Sequence, residues 1–380
     1  MSGSKLYYIY LDTKIVGAVE QLIGYFRAQI FNKNDCISVV CKFYKEINLT
    51  FSKLFKANDI PFIFVRKQSD LVLDKGKTVF YLFNAQSNCR LVANRDLTHI
   101  FVTHGESHKL ASIKPIIRIY DYVITSGSVG IERYLKAGVF TSYDVDSGKI
   151  ITLGDTFLGG NGFSYNKNSN AIIYAPTWEG GVPEENYCSI NINNTQRILD
   201  FCVSKNITRI YIKPHPNLGH RDVSYKLKLQ ESINKLQHGG IRVIIIKNTI
   251  TKTWHKFFQN YITPTIDIEV KYAITDISAM EMQFIRKKIP CSVLIDNNFV
   301  SKLIIPKFLD KFYSKVFLAE NDEIIFDKEY ESQRDELYNY FFTYPSSDVE
   351  NKIFRDRIIW LCLHTKKHLN EHRESLINSF

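Results

Sequence analysis

The residues best suited to chemistry stand in four short clusters, each directly after an apolar, strand-like run. His104-Gly-Glu-Ser-His-Lys109 follows Ile100-Phe-Val-Thr103. A histidine at a strand tip titrates near neutrality and is a candidate to take the proton of an attacking hydroxyl. Gly105 permits close backbone approach, and Lys109 projects from the next turn toward a phosphate. In Tyr211-Ile-Lys-Pro-His-Pro216, two prolines with φ fixed at about −65° stiffen the exit of a strand. Lys213 and His215, two residues apart, share a face if the pleat runs on through Pro214.

The third cluster, Ala273-Ile-Thr-Asp-Ile-Ser-Ala-Met-Glu281, reads as a strand end followed by a helix start, with Asp276 or Ser278 as N-cap. Free N–H groups there suit a pyrophosphate, and Glu281, one turn in, suits a ribose hydroxyl. A capping box of Ser278 and Glu281 explains the same residues without a ligand. In the fourth cluster, Ile173-Tyr-Ala-Pro-Thr-Trp178, Thr177 offers a hydroxyl and Trp178 a flat apolar face. Each cluster thus keeps a purely structural reading: a capping histidine beside a solvated lysine, a rigid turn, a helix cap, a core tryptophan.

The elements that must position these clusters are short runs rich in Val, Ile, Phe and Tyr. They are expected as buried strands at Leu6–Tyr10, Ile37–Val40, Pro61–Val65, Thr78–Phe83, His99–Thr103 and Tyr122–Thr125. A second series is expected at Ala171–Ala175, Arg209–Lys213, Arg242–Lys247, Tyr272–Thr275 and Cys291–Ile295. Helical patterns such as Val16–Phe31, Thr195–Ser204 and Met282–Lys288 lie between them. Repeated alternation of strand and helix implies α/β architecture with parallel sheets covered on both faces. Ligands of such sheets gather at the carboxyl ends of the strands, where all four clusters stand.

Gly159–Asn170, crowded with Gly, Asn and Ser, is expected as an irregular connection between two domains. The reading is an N-terminal Rossmann-like domain over 1–160, a second over 171–328, and helices over 329–380 packing on both. In that tail Phe354, Ile358, Trp360, Leu361 and Leu363 offer apolar faces.

The chain has 380 residues, enough for two domains of about 150 residues. Its 45% apolar and 23% charged residues exclude a mainly disordered or collagen-like chain. The 49 Lys and Arg against 39 Asp and Glu give a formal charge of +10, which favours an anionic partner. These cations are dispersed and match no nucleic-acid-binding pattern, so nucleic acid is not expected as a partner. Seven scattered cysteines without a Cys-x-x-Cys pair argue against a disulfide framework or zinc module. No apolar run approaches the roughly 18 residues of a membrane span. A cytoplasmic protein is expected. Docking at the inner face of the membrane is left open by the basic and aromatic stretch Lys307–Phe317.

Together the four clusters resemble the motifs of the CDP-glycerol:glycerophosphotransferase family of teichoic-acid and capsule polymerases. The matching residues are His104-Gly105 with Lys109, Tyr174-Ala-Pro-Thr-Trp178, Lys213-Pro-His-Pro216 and Thr275-Asp-Ile-Ser278, in the family's order. The resemblance implies a GT-B fold, two Rossmann-like domains facing across a cleft, with the donor nucleotide held mainly by the second. It implies transfer of a polyol phosphate, glycerol phosphate first, from a CDP-activated donor to a hydroxyl of a glycan or phosphopolymer acceptor, lipid-linked or free. The alternative is a GT-B glycosyltransferase using a CMP- or UDP-sugar.

By the same resemblance His104 is the general base, and His215 steadies the charge of the departing nucleotide. Gly105, Glu106, Lys109, Thr177, Trp178, Lys213, Asp276, Ser278 and Glu281 bind substrate. Glu179 stands where the family commonly has Arg, leaving Arg221, Lys271 or Arg286 to supply that charge. No cofactor is expected, and no metal either. The chain's single Asp-x-Asp, Asp144-Val-Asp146, and the variant Asp267-Ile-Glu269 have no clear place at a strand end.

Overall fold

The computed structural model describes residues 5–103, 106–159, 162–246, 261–262, 267–296, 303–309, 317–318, 324 and 334–377. The chain divides into two compact units. One comprises Met1–Gly105, Ile113–Gly159 and Phe342–Phe380, the other Glu106–Ser112 and Gly160–Phe341.

The first unit is built on β1 (Tyr7–Leu11), β2 (Cys36–Lys42), β3 (Phe62–Val65), β4 (Thr78–Tyr81), β5 (Thr98–Val102), β6 (Tyr122–Thr125) and β7 (Ile150–Thr152). They pair in parallel in the order β3-β2-β1-β4-β5-β6-β7. β1 shows why its sequence reads as a continuous apolar run. Tyr7, Ile9 and Leu11 enter one core with the helices Val16–Arg27, Asn48–Ala57 and Phe354–Ile377, while Tyr8 and Tyr10 enter the core on the other face.

The second unit holds β8 (Phe163–Tyr165), β9 (Ala171–Ala175), β10 (Arg209–Ile212), β11 (Arg242–Ile246), β12 (Tyr261–Ile262), β13 (Ile268–Val270), β14 (Tyr272–Thr275), β15 (Cys291–Leu294) and β16 (Phe317–Leu318). Seven of them form a second parallel sheet, β12-β11-β10-β9-β14-β15-β16. β8 and β13 make a separate parallel ribbon. Ile172 and Tyr174 of β9 face the helices Ile192–Ser204 and Ser224–His238, whereas Ala171, Ile173 and Ala175 face the helix Met280–Arg286.

Both sheets are doubly wound. Strand order reverses between β1 and β4 in the first and between β9 and β14 in the second. The α/β fold class read from the sequence therefore holds, and each unit has the Rossmann-like strand arrangement from which a GT-B chain is composed.

Every expected strand is present, with ends shifted by at most two residues. The additional strands β7, β8, β12, β13 and β16 are two or three residues long, too short for periodicity to mark them. One correction concerns Gly159–Asn170. It is not wholly irregular, since β8 lies within it and Phe163 is fully buried opposite Ile268. The tail is divided as well. The helix Arg334–Phe341 falls in the second unit, while Ser347–Glu350 and Phe354–Ile377 fall in the first. Ile358 and Leu361 are buried there, but Leu363 is 56% exposed.

Asp144 of the Asp-x-Asp pair closes a capping box with Thr141 on the helix Ser142–Asp146, and Glu269 accepts from Asn166 Nδ2. Among the described residues no group of three or more His, Cys, Asp or Glu could hold a metal ion. Five cysteines are buried, Cys188 is half-buried and Cys89 exposed. No described helix is long and apolar enough to cross a membrane. Most of Lys307–Phe317 lies outside the described residues, and Leu309 within it is buried.

Candidate functional site

The candidate site lies in the second unit, at the reversal between β9 and β14. Ala175 and Thr275 are register partners, so the segments Pro176-Thr177 and Asp276-Ile277 leave the sheet side by side. Asp276 ties them together. Its buried carboxylate accepts the Thr177 N–H at 2.9 Å, and Oδ2 accepts the N–H and the hydroxyl of Ser189, each at 3.0 Å. Burial raises the Asp276 pKa to about 6, against the pull of Lys109 and these donors. Asp276 is thereby occupied with holding two loops in place. Ser189 also meets the Tyr174 hydroxyl at 2.8 Å.

Lys109 reaches this point from a segment far away in sequence. Its ammonium donates to Thr177 Oγ1 at 2.9 Å and lies 5.6 Å from the centre of the Tyr187 ring. Burial lowers its pKa, and the Asp276 carboxylate opposes that shift. A half-buried cation on a threonine hydroxyl, at the carboxyl end of a switch-point strand, is placed to take an anionic ligand.

His215 comes from the neighbouring strand exit. Its backbone N–H donates to the Pro176 carbonyl at 3.0 Å, which draws the loop after β10 onto the loop after β9. The ring is stacked on Trp178, centroids 5.9 Å apart at 16°. The Asn217 N–H donates to His215 Nδ1 at 3.1 Å, so the proton of the neutral ring is on Nε2. Burial and the nearby Lys109 charge depress the His215 pKa to about 4. At neutral pH this residue is an uncharged N–H donor. Trp178 also packs against the core.

Lys213 is set apart. Its ammonium lies 5.8 Å from the Phe163 ring, and Phe163 belongs to the core on the opposite face of the sheet from Trp178. The condition for a shared face of Lys213 and His215, a pleat continued through Pro214, is not met, since β10 ends at Ile212. Burial lowers the Lys213 pKa to about 8.

Ser278 Oγ contacts Thr275 Oγ1 at 3.1 Å and accepts from Met280 N at 3.3 Å, but neither Asp276 nor Ser278 is the N-cap expected. The seven-residue helix is entered through Ala279, without a side-chain cap or a Ser278–Glu281 capping box. Glu281 is buried and faces His108, Nε2 to Oε2 3.6 Å. Glu106 is buried in the same segment. His104 and Gly105 lie outside the described residues.

Three residues near the site carried no clear signal in the sequence. His108 sits inside a quoted motif but has no periodicity or spacing to mark it, and Ser189 falls in an irregular loop. Glu179, noted only as a departure from the family, is fully buried. It accepts from the backbone N–H groups of Gly219, Arg221 and Asp222 at 2.8–3.0 Å. Burial would raise its pKa, but those backbone donors together hold it below the usual carboxylate range. Arg221 turns back onto the carbonyls of Glu179 and Gly180, so it braces this loop.

No family model matches the chain, and no curated protein matches it. Among solved structures it is similar to a UDP-N-acetylglucosamine 2-epimerase, with 11% identity, TM-score 0.48, and coverage of 95% of this chain and 97% of that one. It is also similar to HepE of Anabaena solved with UDP and glucose, with 8% identity, TM-score 0.45, and coverage of 98% and 100%. MurG of Acinetobacter baumannii matches at 8% identity and TM-score 0.41, with coverage of 99% and 100%. At such scores and identities no activity is carried over from them.

Proposed function

We propose that this chain is a transferase that holds the phosphates of a nucleotide-activated donor at the β9/β14 reversal and passes the activated group to an acceptor hydroxyl. The observation that carries this reading is the Lys109 ammonium on Thr177 Oγ1, with the His215 Nε2–H beside it. A cation and a neutral donor, both half-buried, stabilise charge that grows on a departing nucleotide. Asp276 and Glu179 keep the loops fixed, so these donors need no reorganisation when the ligand arrives.

The finer reading is transfer of a polyol phosphate from a CDP-activated donor, and the four ordered motifs support it. The acceptor oxygen bonds to the phosphorus bearing the polyol, the bridging P–O bond to CMP breaks, and the hydroxyl proton leaves to a base. His104 is the residue proposed for that base. The second reading, transfer of a sugar from a CMP- or UDP-sugar, uses the same cluster.

A thermal-shift screen with CDP, UDP and CMP tests the shared claim, because a ligand that binds the folded state raises the melting temperature. A rise with CDP or UDP is expected, and no rise with either contradicts it. Release of CMP from CDP-glycerol in the presence of a glycan acceptor then favours the first reading. Preferential stabilisation by UDP, followed by sugar transfer, favours the second.

A further inference from the structure

The seven residues Glu106–Ser112 stand in sequence between β5 and β6 of the first unit, yet they belong to the second. They form a compact turn. Ser112 N–H donates to the Lys109 carbonyl at 3.0 Å, and the hydroxyls of Ser107 and Ser112 meet at 3.3 Å. Glu106, Ser107 and His108 are all at least nine-tenths buried. Two adjacent residues pin this turn to the two strands of the reversal. His108 meets Glu281, one turn into the helix that follows β14, with both side chains at most 2% exposed. Lys109 meets Thr177, just beyond β9, and Tyr187. The turn therefore straddles the crevice where the order of the sheet reverses.

We infer that His108 is a positioning residue: its buried pairing with Glu281 holds the turn so that the Lys109 ammonium stands ready for the donor's diphosphate. This rests on the donor reading above and extends it. Glu281 then acts through His108 and Lys109 instead of through a ribose. The pair is anchored from the β14 side, so it restrains Lys109 without occupying the phosphate position. A side chain free to leave Thr177 would lose rotamer entropy on binding, and that loss is removed in advance by the anchored turn.

The test is a double-mutant cycle on the full chain, read as the affinity for CDP and UDP by calorimetry. Lys109→Ala is expected to weaken both by about tenfold or more, and His108→Gln by about fivefold. In the Lys109→Ala background, His108→Gln should add less than about twofold, because it acts only through the lysine. Cytidine, which has no phosphate, should bind equally to wild type and His108→Gln. Hydrogen exchange should rise in 106–112 while the strands of the second sheet keep their protection, and Glu281→Gln should reproduce the pattern. If Lys109→Ala leaves both affinities unchanged, the donor reading and this inference fail together. If Lys109→Ala weakens binding but the His108 effect is nil or fully additive, the donor reading stands and the inference is overturned. Global loss of protection in both His108→Gln and Glu281→Gln assigns the pair to folding alone, and overturns it too.

Discussion

Lys109 and Thr177, 68 residues apart, are joined by a 2.9 Å hydrogen bond at the carboxyl edge of the second sheet. This contact brings a cation from the segment after β5 to the reversal between β9 and β14. Partial burial makes it consequential, because it lowers the Lys109 pKa while the Asp276 carboxylate beside it is engaged by backbone donors.

Replacing Thr177 by Val removes the acceptor of a buried ammonium and keeps the shape of the side chain. The expected cost is ~1–3 kcal/mol of unfolding free energy, measured by urea denaturation. A variant as stable as wild type would show that the contact contributes nothing.

Two groups of the site oppose each other in the pH dependence of stability. Asp276 titrates at about 6 when folded against 3.8 as a free carboxyl, so between those values the folded state holds more protons. Its contribution is full below about pH 4 and is lost as the pH rises through 6. His215 titrates at about 4 against 6.5, so there the unfolded state holds more protons. Its contribution is full above 6.5 and is lost as the pH falls through 4. The two slopes offset each other from pH 4 to 6. His215→Gln is therefore expected to expose the Asp276 slope, with stability falling by up to ~2–3 kcal/mol as pH rises across that window. Denaturant titrations at several pH values read it directly, and a variant whose stability rises over the window contradicts the assignment.

On the proposed reading, the same histidine is expected to make nucleotide binding proton-linked. Bound phosphate raises the His215 pKa from about 4, so a proton is taken up on binding and affinity gains as the pH falls below neutrality. Calorimetry in buffers of differing ionisation enthalpy measures that proton, and His215→Gln should abolish this part of the uptake. Equal uptake in the variant places the proton elsewhere.

Lys213 offers a contrast. Its ammonium lies near Phe163, and burial lowers its pKa to about 8. Lys213→Met is expected to leave nucleotide affinity, measured by calorimetry, within about twofold. A large loss of affinity would return Lys213 to the phosphate site.

In the first unit, Gly154 has φ +54°, and a Cβ there would come within 1.8 Å of the Tyr344 ring. That ring is held in turn, since its hydroxyl donates to Asp155 at 2.9 Å and Arg357 lies on its face. Gly154→Ala should therefore destabilise the unit by at least ~2 kcal/mol, seen as a lowered melting temperature. An unchanged melting temperature would mean that the tail can detach at little cost.

How much of this was legible in the sequence depends on what each residue has to signal. β1 and β9 are legible because both faces of each strand enter a core, which writes an unbroken apolar run. β8 and β13 are not, because three residues cannot establish a period and β8 is surrounded by Asn, Ser and Gly. The site was partly legible. Thr177, His215 and Asp276 stand at strand ends, where position alone marks them. In the sequence the direction of Lys213 is conditional on a pleat running through Pro214, because chain direction at a proline is a tertiary matter. His108 and Ser189 were invisible because their partners, Glu281 and Asp276, lie 173 and 87 residues away.

The most direct test is a crystal structure of the chain soaked with CDP and, separately, UDP. The account predicts the diphosphate at the β9/β14 reversal, with oxygens within hydrogen-bond distance of Lys109 Nζ and His215 Nε2. A nucleotide bound elsewhere in the molecule, with Lys109 still donating only to Thr177, would contradict it.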